Sequence, residues 1–261
     1  MTTLILAPEA AAAGHGLIHR TILTSTMDEA RALLMEGRDG PLWVVADSQS
    51  AGRGRHGRGW SSPRGNLYAT LALRGHCDPA IAPELGFAAG LALHRAVGEA
   101  ANLGHPDLSI KWPNDLLLRG AKIAGLLLEG MHARGEFAVL IGFGVNIASA
   151  PTTTPYPASS LCPPSEHLEL AAERALAMRQ ALFMALTRHW IGAEALWRSG
   201  FVHLRAAWLD AAHGLGSQIM VRPPNEEVRG VMLGIDDRGR LKVATEAGER
   251  RIDAGDLFFG H

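Results

Sequence analysis

Three observations predict an α+β fold: a mixed β-sheet domain flanked by helices, followed by a small all-β unit. First, short strand-like runs interleave with helix-spaced ones from His19 to Ile147. Second, the character changes at Gly214-Leu215-Gly216. Helical spacing gives way there to short alternating runs broken by Pro223-Pro224, Asp236-Asp237-Arg238-Gly239 and Ala247-Gly248. Third, 261 residues at 47% hydrophobic content suit one large core plus an appendage. The boundary falls at 213/214. The second unit, 214–261, has fewer than fifty residues and needs the larger domain to pack against.

Met1 to Gly16 is alanine-rich, lacks a basic start and carries Glu9, which reads as a ragged N-terminus and not as a signal peptide. His19–Leu23 is a first strand. Ser25-Thr26, then Asp28-Glu29, then Ala30, Leu33 and Leu34, describe an N-capped helix ending near Gly37. Leu42–Ala46 is a buried-type strand and Asn66–Leu73 alternates like a strand with one core face. Pro83 to Leu103 has the spacing of a well-buried helix, with proline in its first turn. Leu108–Trp112 is strand-like and stops at Pro113-Asn114. Asp115–Leu118 and Lys122–Glu129 form a hairpin across Arg119-Gly120-Ala121. Phe137–Ile147 is another strand, whose Gly142 and Gly144 and terminal Asn146 predict a close backbone approach to something. Ala150–Pro164 is a loop. Glu166 to about Gly192 and Gly200 to His213 are helices, with Trp190, Trp197 and Trp208 in packing roles.

Composition removes several function classes. The formal net charge is −1, so a nucleic-acid role would have to be local. The only cysteines, Cys77 and Cys162, are far apart and make no CxxC, which disfavours a disulfide framework or structural zinc and fits a reducing compartment. The twelve histidines show no metal-ligand spacing. No apolar run is long enough to span a membrane, and the expected location is the cytoplasm. Only three of the 25 basic residues are lysine: Lys111, Lys122 and Lys242. A compact ammonium differs physically from a planar guanidinium, so its persistence at Lys111 and Lys122 marks them.

Ser48-Gln49-Ser50-Ala51-Gly52-Arg53-Gly54-Arg55-His56-Gly57-Arg58-Gly59-Trp60 is slung between two strands of the sheet. Its glycines let backbone N–H groups come close to an anion, its arginines supply charge and forked donors, and Trp60 offers a flat face. On these residues alone, an anion-wrapping loop, a flexible surface loop and an RG-type nucleic-acid segment all remain open.

Lys111-Trp112-Pro113-Asn114-Asp115 and Lys122 in Ala121-Lys122-Ile123-Ala124-Gly125 complete a triplet of motifs with the Gly/Arg run. With these the chain resembles biotin protein ligases from about Thr21 to its C-terminus. The resemblance implies a class II aminoacyl-tRNA synthetase/biotin ligase-like catalytic domain at 1–213 and an SH3-like β-barrel at 214–261. It implies ATP-dependent activation of biotin to biotinyl-5′-AMP, then transfer to a lysine of a biotin carboxyl carrier domain. ATP and Mg²⁺ would be required, with the metal carried mainly by the phosphates. A homodimer through the central sheet occurs among relatives. No nucleic acid or membrane partner is expected, because the roughly twenty residues before the first strand are too few for a helix-turn-helix.

Carried over by motif, Ser25, Thr26, Met27 and Gln49 would meet the ureido end of biotin. Gly52, Arg53, Gly54 and Arg55 would lie over biotin and its adenylate, and Gly125 would line the pocket. Arg58 would meet phosphate; Trp60 and Asn146 would lie at the adenine. Lys111 and Asn114 would serve the ATP phosphates and Mg²⁺. Lys122 would sit at the biotin carboxylate and α-phosphate. Lys122 and Arg55 would be catalytic, joined by Asp115, which could orient or deprotonate the incoming amine. Met27 and Ser50 depart from the asparagine and threonine common among relatives, without removing a charge. The alternatives are a lipoate or octanoate ligase and, from another class, a nucleic-acid module. The three arginines among glycines predict mutual repulsion and a disorder-to-order switch over Gly52–Gly59 when anions bind.

Overall fold

The computed structural model describes residues 4–154, 156–163, 168–223 and 226–259. In chain order the elements are α1 (Pro8–Ala12), β1 (Gly16–Leu23), α2 (Thr26–Glu36), β2 (Leu42–Gln49), β3 (Leu67–Arg74) and α3 (Glu84–Ala101). They continue with β4 (Leu108–Lys111), β5 (Asp115–Leu118), β6 (Ala121–Ala133), β7 (Glu136–Val145), α4 (Leu168–Arg198) and α5 (Phe201–Asp210). The last five are β8 (Gln218–Arg222), β9 (Val228–Ile235), β10 (Leu241–Thr245), β11 (Gly248–Ile252) and β12 (Asp256–Phe259). The main sheet has the order β1-β2-β3-β7-β6-β5-β4. Only β1 and β2 run parallel, so the sheet is mixed, as expected.

Leu42–Ala46 is apolar without a break because both faces of β2 are covered. Trp43 and Val45 enter a large core shared with α3, α4 and α5, while Leu42 and Val44 join Met27, Ala30, Leu33 and Leu34 of α2. β7 does the same, with Val139, Ile141 and Phe143 on one side and Ala138 and Leu140 on the other. The helix α2 starts where the sequence placed it: Ser25 Oγ accepts from the Met27 N–H at 3.2 Å, and Gly37 ends the helix at φ +97°. The β5–β6 hairpin turns on two residues, Arg119 and Gly120, both at positive φ.

Four expectations are corrected. The segment from Leu4 to Gly16 is not ragged. Leu4, Ala7 and Ala10 are buried, Ala7 N–H donates to Thr187 Oγ1 of α4 at 2.9 Å, and Trp43 Nε1 donates to His15 Nδ1 at 3.0 Å. Small alanine side chains pack closely against a long helix, which a reading for targeting signals does not detect. The first strand begins at Gly16, three residues early. Pro83 is the cap of α3 and not part of its first turn. Finally, α4 is one continuous 31-residue helix that runs past Gly192 and buries Trp190 and Trp197, while the expected start at Glu166 lies outside the described residues. Trp208 is buried on α5, as expected.

The second sheet is an antiparallel five-stranded set in the order β11-β10-β9-β8-β12. The connector Ala211–His213 adds itself beside β4, through Ile110 N–H to Ala211 O and His213 N–H to Ile110 O, each 2.8 Å. Trp112 Nε1 donates to Gly239 O at 3.1 Å. A Cβ on Gly239 would lie 2.4 Å from the Phe87 ring of α3. The two sheets therefore meet at close, specific contacts, as a unit too small to stand by itself requires.

Candidate active site

A cavity of about 700 Å³ opens where the Gly/Arg run, the β4–β5 connection, β6, β7 and the C-terminal strand β12 converge. One end is polar and internally satisfied. Gln49 Oε1 accepts from Thr26 N–H at 2.8 Å and from Thr26 Oγ1 at 3.2 Å. Thr70 Oγ1 donates to Thr26 Oγ1 at 2.8 Å. Ser25, Thr26 and Met27 line this end from the first turn of α2. The glycine signal in β7 has a physical cause: a Cβ on Gly142 would lie 3.0 Å from Met27 Sδ, and one on Gly144 2.6 Å from the Trp60 ring. Gly125 of β6 also lies under Trp60, at 3.1 Å from the same virtual atom. Trp60 thus rests on a floor that only glycine leaves flat.

The Gly/Arg run is folded back on itself. Arg53 and Gly59 form an antiparallel bridge, Arg55–Gly57 make one 3₁₀ turn, and Trp60 N–H donates to Gly52 O at 2.9 Å. The repulsion expected among the arginines is offset, since each faces its own partner. Arg53 makes a bidentate pair with Asp28, at 2.9 and 2.7 Å. Arg55 Nη1 donates to Asn114 Oδ1 at 3.0 Å. Arg58 pairs with Asp256 of β12. The hydrogen bond to Asp28 raises the Arg53 pKa further, and the bond to Asp256 does so for Arg58. Arg58 in turn holds the Asp256 carboxyl below the usual carboxylate range. Burial pushes the Arg55 guanidinium the other way, down.

The two motif lysines sit close together. Lys122 Nζ is 2.6 Å from Asp115 Oδ1, with both side chains largely buried. It also lies over the Trp60 ring at 5.4 Å and the Tyr156 ring at 5.2 Å. Lys111 Nζ is boxed by Tyr156, Phe258 and Phe259 at 5.8–6.0 Å. Burial lowers the Lys111 pKa, Asp115 opposes that shift and Lys122 adds to it. Within Lys111–Asp115 the labour is divided. Lys111 and Asp115 present charge, Trp112 anchors the second sheet, and Asn114 is a brace whose Nδ2 donates to Leu126 O at 2.6 Å while its Oδ1 holds Arg55.

Most of the motif-derived residues come together in this cavity: Ser25, Thr26, Met27, Gln49, Arg53, Gly54, Arg55, Arg58, Trp60, Lys111, Asn114, Asp115, Lys122 and Gly125 all line it. Gly52 and Asn146 do not. Gly52 is packed behind the wall, and Asn146 is buried with Nδ2 donating to Ser159 O at 3.1 Å. Reading the sequence missed Tyr156, Arg222, Asp256 and Phe258, which line the opposite wall. Nothing local marks them, since tertiary packing alone brings the C-terminal sheet, and Tyr156 from the loop after β7, to the cavity. Among the described residues no group of three His, Cys, Asp or Glu could hold a metal ion. The cavity's two carboxylates, Asp115 and Asp256, are each committed to a cation. The donor set does not fit a resident Mg²⁺.

Residues 18–146 match the biotin/lipoate A/B protein ligase family, and residues 214–260 match the biotin protein ligase C terminal domain. The biotin--[acetyl-CoA-carboxylase] ligase of Paracoccus denitrificans is 40% identical over 233 residues, covering 87% of this chain and 94% of that protein. The bifunctional ligase/repressor BirA of Bacillus subtilis is 32% identical over 254 residues, 95% of this chain and 75% of that one. Among solved structures, the biotin protein ligase of Aquifex aeolicus in complex with biotin and ATP superimposes with a TM-score of 0.74 at 22% identity, covering 94% of this chain and 99% of that one. The Leishmania major enzyme in complex with biotinyl-5-AMP gives a TM-score of 0.60 at 26% identity, covering 92% and 99%.

Proposed function

The chain belongs to the biotin protein ligases, and from that premise we propose how its cavity divides the work. The enzyme activates biotin with ATP and transfers it to a carrier protein. In the first step a carboxylate oxygen of biotin attacks the α-phosphorus, the bond to the β-phosphate breaks, and pyrophosphate leaves. In the second, a carrier lysine amine attacks the acyl carbon, AMP leaves, and the amine gives up its proton. Biotin's carboxylate is already ionised at neutral pH, so the first step needs no base. Its cost is bringing anions together, and that is met by fixed cations and donors in a site shielded from water.

The observation that carries the assignment of roles is the Lys122–Asp115 pair at 2.6 Å beside Arg55, above the Gly125/Gly144 floor. Biotin would lie with its ring against Thr26 and Gln49 and its carboxylate toward Lys122. Lys122 would stabilise charge on the α-phosphate, and Arg55 would bridge carboxylate and phosphate. Lys111 would meet the departing pyrophosphate, with Asn114 holding Arg55. Asp115, once Lys122 turns to the adenylate, is free to orient or accept the proton of the incoming amine. Mg²⁺ enters with ATP as part of the substrate. Bound anions would add partners for the loop's arginines to the one Asp256 already gives Arg58, so exchange over Gly52–Gly59 should slow on addition of biotin and ATP. The main domain would end at 213 and the second begin at 214, and the cytoplasm, with its ATP and carrier proteins, would be the working compartment.

Biotin-dependent ATP–pyrophosphate exchange, with lipoate as the control acid, tests this reading. Exchange with biotin and not with lipoate is expected; exchange with lipoate alone would assign the pocket to the other acid.

A further inference from the structure

We infer that Ser62, outside every motif of the chain, is the positioning residue that ties the ring end of the biotin pocket to Trp60. The inference rests on the roles proposed above for Gln49 and Trp60. Its basis is a hydrogen-bond chain in which the position of each proton is determined. Thr26 N–H can only donate, so the Gln49 atom 2.8 Å away is Oε1, and Nε2 faces the other way. Nε2 lies 2.9 Å from Ser62 Oγ and must donate to it. Ser62 Oγ lies 2.9 Å from Trp60 O, which can only accept, so the hydroxyl proton points there. The chain therefore runs Thr70 to Thr26 to Gln49 to Ser62 to Trp60 without a break.

There is no slack in it. A Cβ on Gly52 would lie 2.5 Å from Ser62 Oγ, 2.6 Å from Trp60 O and 2.9 Å from Gln49 Nε2. Trp60 N–H is held by Gly52 O at 2.9 Å, and Gln49 N–H by Ser62 O at 3.2 Å. Ser62 is only 8% exposed, so water does not readily replace its hydroxyl. Both sides of the Trp60 peptide are thus fixed, and the ring is held flat on Gly125 and Gly144. Any ligand group that engages Gln49 acts, through one hydroxyl, on the residue proposed to meet the adenine. Removing that hydroxyl leaves two half-buried polar groups, Gln49 Nε2 and Trp60 O, without this partner at once.

Calorimetry and hydrogen exchange on full-length protein test the inference. Biotin is titrated into wild type, Ser62→Ala, Gln49→Leu and the double variant. Ser62→Ala should weaken biotin about ten-fold, and the double variant should bind within about two-fold of Gln49→Leu alone, because Ser62 reaches biotin only through Gln49. Without ligand, amides of Gly52–Trp60 should exchange about ten-fold faster in Ser62→Ala. Ser62→Thr, which keeps the hydroxyl, should restore both. Additive losses in the double variant, or unchanged exchange in Ser62→Ala, overturn the inference. If Ser62→Ala does not fold, Ser62→Cys, of similar size and weak in hydrogen bonding, takes its place with the same expectations. Absence of biotin binding by wild type would refute the functional assignment instead, and the exchange measurement would still judge the relay.

Discussion

The rim and the floor of the cavity treat their cations differently. At the rim, Arg53 and Arg58 face carboxylates, Asp28 and Asp256, and their positive charge is matched within the protein. On the floor, Arg55 has a neutral amide for a partner and Lys111 has three aromatic rings. Neither forms an ion pair among the described residues, and burial disfavours the charge of both. Lys122 is intermediate, paired with Asp115 but over two rings. Charge matched at the rim fastens a loop, whereas charge left unmatched inside attracts an anion. A buried cation without a counter-ion is costly to the free protein. On the proposed roles, that cost would be offset when a carboxylate and a triphosphate arrive.

Substitution separates the two regions. Lys122→Ala should have the largest effect, reducing biotin-dependent pyrophosphate exchange about a thousand-fold, the upper range for one lost charge stabiliser. Circular dichroism should show an intact fold. Turnover near wild type would remove Lys122 from the chemistry. Arg55→Ala should follow at about a hundred-fold, because its charge is unmatched and it faces the same cavity as Lys122. Arg58→Ala should cost only about ten-fold in exchange, but should speed escape of the adenylate, since the loop loses its fastening to β12. Equal losses for Arg55→Ala and Arg58→Ala would erase the distinction between floor and rim.

The floor was mostly legible in the sequence and the rim only in part. Lys111, Lys122 and the arginines were marked by local pattern: a Gly/Arg alternation no core would choose, and lysines persisting in an arginine-rich chain. The glycines of β7 announced a close approach, and Trp60 and Met27 supply it. The strands and α2 followed from periodicity and capping, which are local effects. Asp256 lies about two hundred residues from the loop it meets, and nothing in Gly255-Asp256-Leu257-Phe258 signals that encounter. Asn114 lines the cavity, and its amide also braces Arg55 and Leu126 O, contacts the motif does not announce. A motif shows which residues matter before it shows what they touch. The N-terminal helix α1 was overlooked because alanine carries little periodic signal, although its burial against α4 is ordinary packing.

Asp256→Asn tests the rim with a smaller effect, a few-fold faster adenylate release at neutral pH. Its pH dependence has a definite sign. Arg58 lowers the folded-state pKa of Asp256, so the stabilisation from this pair is present above the ordinary carboxylate range and is lost as pH falls through the depressed value. Wild-type release should be flat through neutral pH and rise only in acid. The Asn variant should show no such rise. A rise at the ordinary carboxylate pKa in wild type would mean that the pair does not persist in solution.

The subtlest effect belongs to Lys111. Burial lowers its pKa, so its ammonium loses the proton at a lower pH than an exposed lysine would. If its unmatched charge draws the triphosphate, the KM for ATP should climb as pH rises from 7 toward the ordinary lysine value of about 10.4, with kcat less affected. Lys111→Gln should raise the KM at every pH and flatten the climb, because no titrating charge remains on that part of the floor. Arg55 keeps its charge throughout this range and supplies the internal control. A climb of the same steepness in Lys111→Gln would assign the titration to another group. Lys111 would then join the rim residues, as a cation whose charge matters to the fold and not to the ligand.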